Sequence, residues 1–73
     1  MQPGNPLEAE FGRYIWCELC GTVYSSAAWA EQGNTCPNCG ATLDYAHPWE
    51  EIRQGNPQYP ETPVEGRQYA QYG

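Results

Sequence analysis

Four cysteines stand in the arrangement Cys-x2-Cys-x15-Cys-x2-Cys: Cys17, Cys20, Cys36 and Cys39. Sulfur at such positions can bridge to another cysteine, attack a substrate or ligate a metal, and spacing discriminates among these uses. Two residues between cysteines let a tight turn aim both sulfurs at one ion, and two such pairs complete a tetrahedron. The interval between the pairs falls in the range of a zinc site. Each pair is followed by a glycine, Gly21 and Gly40, where positive φ and the missing Cβ let backbone N–H groups approach the thiolates. Pro37 pre-sets the turn of the second pair. All four cysteines are therefore expected to be metal ligands.

The other uses of cysteine fit less well. The first ten residues, MQPGNPLEAE, show neither the basic region nor the apolar stretch of a secretory signal, so a reducing, cytoplasmic setting is expected. Disulfides are rare there. A redox Cys-x2-Cys belongs on a βαβ unit, for which 73 residues leave no room. With four sulfurs filling the tetrahedron, His47, the single histidine, has no position left to occupy and reads as a surface or capping residue. Asp44, Glu50 and Glu51 read as a solvated helix start, not an acidic site. Phosphate loop, nucleophile elbow and zinc-hydrolase motif are all missing, and no enzymatic activity is expected.

The elements that must position the cysteines can be read locally. Tyr14, Ile15 and Trp16 are strand formers leading into the first pair, and Thr22, Val23 and Tyr24 lead out of it, which places the pair at the turn of a hairpin. Ser25 or Ser26 can cap a short helix through Gln32, with Gly33 as its stop. Ala41 to Tyr45 can form another strand. Pro48 suits the first position of a second brief helix, and Gly55 suits its exit. The resulting organisation is an extended N-terminal arm (1–12), the metal-bearing region (13–46), a short helix (47–55) and an extended tail (56–73) rich in Pro, Gln and Tyr.

Composition explains why a metal is needed. Leu, Ile, Val and Phe supply only Leu7, Phe11, Ile15, Leu19, Val23, Leu43, Ile52 and Val64, eight of 73 residues. Ordering costs roughly 1.5 kcal/mol per residue, more than so few side chains can offset. Structural zinc contributes roughly 10 to 16 kcal/mol of apparent binding free energy, which in small domains is folding energy. Nine acidic residues against three arginines give a net charge of −6, a poor footprint for nucleic acid or anionic membranes. No stretch approaches the ~20 apolar residues of a spanning helix.

The segments Cys17-Glu18-Leu19-Cys20-Gly21 and Cys36-Pro37-Asn38-Cys39-Gly40 resemble the paired knuckles of zinc ribbons and rubredoxin-like domains. Tyr14 and Tyr24 are similar to the aromatic core of rubredoxins. The resemblance implies a small metal-stabilised β-hairpin domain holding Zn2+ or, as in rubredoxins, an iron that transfers single electrons. Zinc is the expectation and iron the alternative, because tetrahedral sulfur ligation alone does not choose between them.

Three tryptophans are many for so short a chain. Trp16 and Trp29 are expected in a miniature core, and Trp49 on a partner-facing surface. Pro57, Pro60 and Pro63 recur at the three-residue period of polyproline II, and a Gln-Tyr pair recurs at Gln58-Tyr59, Gln68-Tyr69 and Gln71-Tyr72. The tail is therefore expected to strap onto another protein, and the chain to be an accessory subunit of a larger complex such as a multi-subunit enzyme or a virus particle. Removing the metal with a strong chelator is expected to abolish the folded circular dichroism spectrum. An unchanged spectrum after verified metal loss would exclude a metal-dependent fold.

Overall fold

The computed structural model describes residues 6–70. Three strands, β1 (Tyr14–Cys17), β2 (Val23–Ser25) and β3 (Ala46–Pro48), form an antiparallel sheet in the order β2-β1-β3. Three short helices accompany it: α1 (Pro6–Phe11), α2 (Ser26–Glu31) and α3 (Trp49–Gly55). A 3₁₀ turn, Leu43–Tyr45, precedes β3. None of the described helices is long and apolar enough to cross a membrane.

The central strand explains how so small a chain encloses a core. Successive side chains of β1 point to opposite faces of the sheet. On one face Ile15 and Cys17 join Leu7, Trp29, Cys36, Ala41 and Ala46 in a buried cluster. On the other, Trp16 packs with Val23, Trp49 and Ile52, flanked by Tyr14, Tyr59 and Tyr69. The register matches this division: Trp16 lies opposite Val23, and Cys17 opposite Ala46. Aromatic side chains supply the area that the few aliphatic residues cannot. Both faces are covered.

α2 begins and ends where the sequence places it. The Ser25 side chain accepts a hydrogen bond from the Ala28 amide, and the chain leaves the helix through Gly33 at φ +73°. α3 also forms, but starts later than expected. His47 and Pro48 belong to β3, and Pro48 holds the extended cap position ahead of Trp49. The expected strand at Ala41–Tyr45 is displaced to Ala46–Pro48. The Ala41 carbonyl is occupied by the Cys36 amide at 2.9 Å, so the chain must turn before it can pair with β1.

The ends differ most from expectation. The extended N-terminal arm is contradicted over residues 6–11, which form α1. Its Leu7 is 4% exposed, and Gly12 at φ +87° closes it by donating its amide to the Glu8 carbonyl at 2.8 Å. Pro6 occupies the first helical position, where its missing N–H costs nothing. One turn and a half is too short to show helical periodicity, and packing against α2 and β1 holds it. Pro3, Gly4 and the Gln71-Tyr72 pair lie outside the described residues.

The described tail is irregular, as expected, yet it folds back on the sheet. Turns close at Tyr59 onto Asn56 and at Arg67 onto Val64, and Pro63 is buried while Pro57 and Pro60 are exposed. The three prolines therefore line no common ridge. Trp49 is not partner-facing: it is 2% exposed, stacked on Tyr59 at 5.7 Å and tilted against Tyr69 at 4.8 Å. Its indole N–H donates to the Pro60 carbonyl at 2.9 Å, and that of Trp16 to the Tyr69 carbonyl at 2.8 Å. Tail carbonyls thus satisfy two buried donors that would otherwise be costly. Trp49→Ala is expected to destabilise the metal-loaded protein by about 3 to 5 kcal/mol in urea denaturation. A partner-facing tryptophan would show a change within about 0.5 kcal/mol.

Candidate metal centre

Both cysteine pairs sit in turns with the same hydrogen-bond pattern. In the first, the Cys17 amide donates to the Thr22 carbonyl at 2.9 Å and the Gly21 amide to the Cys17 carbonyl at 2.8 Å. In the second, the Cys36 amide donates to Ala41 at 2.9 Å and the Gly40 amide to Cys36 at 2.8 Å. Each turn reverses through its glycine, Gly21 at φ +76° and Gly40 at φ +80°. β1 delivers Cys17 from the centre of the sheet, and the loop after α2 brings the second turn up to it.

The four sulfurs converge. All lie within 4.8 Å of one another, and two contacts cross between the turns: Cys17 to Cys39 and Cys20 to Cys36, each at 3.6 Å. Four sulfurs placed 2.3 Å from a central zinc would stand about 3.8 Å apart. A disulfide needs about 2.05 Å, so these are four free thiols arranged around a point. Among the described residues they are the group of Cys, His, Asp and Glu side chains able to hold a metal ion. Cys17 and Cys36 are buried, Cys20 is half-buried, and Cys39 is exposed.

The surroundings stabilise negative sulfur. The Asn38 amide points at Cys36 Sγ from 3.4 Å, and the Thr22 hydroxyl lies 2.8 Å from Cys20 Sγ. Burial pushes the Cys17 thiol well above its ordinary range. Burial acts in the same direction on Cys20, but hydrogen bonds led by those of Thr22 and Asn38 outweigh it and hold that thiol at about 6. These contacts favour the charged form of Cys20, and a bound metal ion would supply the charge that draws the proton from a buried partner.

The structure brings together all four cysteines that the sequence singles out, and no other expected polar residue joins them. His47 is half-buried beside the first turn, its Nε2 2.7 Å from Glu18 Oε1 and its Nδ1 3.5 Å from Glu51 Oε1. Asp44 and Glu50 are exposed. Three residues of the site are read from the sequence for other roles: Thr22, at the sulfurs, as a strand former, and Gln68 and Tyr69, which bond the Cys20 and Gly21 carbonyls at 2.9 Å each, as part of the tail. A threonine just after Cys-Gly was the one local signal, and it was equally a strand former.

Comparison with known proteins returned no match: no family model, no curated protein and no solved structure matches the chain. The site therefore stands on its own geometry. A Cβ at Gly40 would meet nothing within 4 Å, so the positive φ alone penalises a side chain there. Gly40→Ala is expected to lower stability by about 1 to 2 kcal/mol in thermal denaturation of the metal-loaded protein. Gly40→Asn should recover part of that loss, because asparagine tolerates this region.

Proposed function

We propose that this chain is a zinc-ribbon-type structural subunit, folded around one Zn2+ held by Cys17, Cys20, Cys36 and Cys39, that serves as an accessory component of a larger protein assembly. The convergence of four sulfurs at near-tetrahedral separations carries this reading. A complete set of four thiolates leaves no open position for water or substrate, which is the mark of a structural and not a catalytic metal. The ion ties β1 to the turn after α2 and supplies the folding energy the small core lacks.

Docking on a partner draws support from the surface. Leu19, at the tip of the first turn, is 59% exposed, and Tyr45, whose carbonyl accepts the Glu18 amide beside it, is 39% exposed. These two exposed apolar side chains support a docking surface at the metal-bearing end. Trp49 and the described tail, first candidates for that role, are occupied within the chain.

Iron is the second reading, and the exposure of Cys39 favours it: an electron carrier needs a ligand close to its surface. Elemental analysis of natively purified protein, with a visible absorption spectrum of the same sample, separates the two. One colourless zinc per chain is expected. One iron with thiolate absorption bands that bleach on reduction would replace the structural reading with electron transfer, and no bound metal would overturn both.

A further inference from the structure

The tail does more than cover Trp49, because it also grips the first cysteine turn. Running along the outer edge of β2, it donates the Gly66 amide to the Val23 carbonyl at 2.8 Å and accepts from the Val23 amide at Arg67. Further on, the Tyr69 amide bonds the Gly21 carbonyl at 2.9 Å, and Gln68 Nε2 bonds the Cys20 carbonyl at the same distance. Thr22 pairs with Gln68 as an isolated antiparallel bridge. Thr22 is 3% exposed, and its hydroxyl sits 2.8 Å from Cys20 Sγ and 4.0 Å from Cys36 Sγ. One buried residue therefore stands between the two whose backbone groups bond the tail, Gly21 and Val23, and lays its side chain against two candidate ligands.

We propose that residues 64–70 form a strap whose docking and the metal's binding strengthen each other, with Thr22 as the positioning residue that couples them. The proposal rests on the metal centre proposed above. With the ion in place, Cys20 is fixed, the first turn keeps its shape, and the carbonyls of Cys20 and Gly21 stay aimed at Gln68 and Tyr69. Without it, the turn is held only by backbone bonds such as that from the Gly21 amide to the Cys17 carbonyl, and those acceptors are less firmly aimed. Coupling between two binding events is reciprocal, so a strap that needs the ion must also retain it. The strap's inner side holds the Trp16 indole through the Tyr69 carbonyl and lies against Trp49. Its release uncovers that aromatic face, so the metal controls access to it.

The test uses the full chain loaded with zinc and follows zinc transfer to a chromophoric chelator. Tyr69→Ala removes the ring that anchors the strap on Trp49, without touching the cysteines. Thr22→Val keeps shape and removes the hydroxyl, and Gln68→Ala removes an exposed side chain. Each is expected to hold one zinc and release it about five- to tenfold faster than wild type, the scale of one lost hydrogen bond. Thr22→Ser should restore slow transfer, and Gln54→Ala, at an exposed position outside the strap, should leave it unchanged. Tyr69→Ala should also raise acrylamide quenching of tryptophan fluorescence with zinc still bound. Should Tyr69→Ala fail to fold, Gln68→Ala and Thr22→Val decide. Full zinc content with transfer rates within twofold of wild type would overturn the coupling alone, whereas wild type purified without metal would overturn the centre beneath it.

Discussion

Four negatively polarised sulfurs must meet at one point, and the rest of the fold is arranged so that they can. Cys17 reaches that point as the last residue of the central strand, buried and paired with Ala46. Cys36 reaches it from the loop after α2, in a turn that repeats the first hydrogen bond for hydrogen bond. Each turn reverses through a glycine at positive φ, which glycine adopts without strain, and brings together sulfurs that repel one another once ionised. A bound metal ion would remove the repulsion and join the two turns at one point. Because Cys17 also belongs to the aliphatic cluster, the junction and the core are continuous.

Below the junction the sheet acts as a partition between two unequal halves. The side facing α1 and α2 is sealed by apolar packing around Ile15 and Trp29, and the buried Trp29 indole N–H has no hydrogen-bond partner among the described residues. The opposite side has two indoles, each with an N–H that needs an acceptor, and the helical chain around them offers none. Tail carbonyls at Pro60 and Tyr69 provide those acceptors, and Arg53 holds the tail by donating from Nε to the Tyr59 carbonyl at 3.1 Å. Proline and glutamine suit this task. An irregular segment leaves its carbonyls free to turn inward, whereas a helix or strand would consume them. Arg67 lies 5.6 Å over the Tyr69 ring, so two of the three arginines are committed to the tail.

What was legible in the sequence was local. The cysteine spacing, Gly21 and Gly40, the Ser25 cap and the Gly33 stop each act within a few residues, and the structure holds them where the sequence places them. The hidden features depend on partners far along the chain. The Trp16 indole bonds a carbonyl 53 positions away, and nothing near either residue signals it. A Pro- and Gln-rich composition describes an unfolded segment and an inward-turned irregular one equally well, so the tail read as a strap for another protein. Trp49 was assigned to a surface because the residues that bury it lie in that tail. α1 escaped because six residues are too few for a period to show, and the third strand was misplaced because Ala41 is held by Cys36.

The distribution of charge narrows what such a subunit can dock against. All nine carboxylates are exposed, and a metal on four thiolates would carry the formal charge from −6 to about −8. Carboxylates left in solvent cost the fold little, but a partner that covers several of them must replace their water with positive charge. A surface meeting the proposed Leu19 and Tyr45 end therefore needs basic side chains at its rim and an apolar centre, the usual anatomy of a specific interface. Attraction between opposite fields would speed encounter and weaken as salt screens it over roughly 8 to 10 Å. Nucleic acid carries the wrong sign for a surface with nine carboxylates against three arginines, and an acidic protein does as well. Under the proposed function, the same excess of charge that a small core tolerates poorly would favour a basic partner.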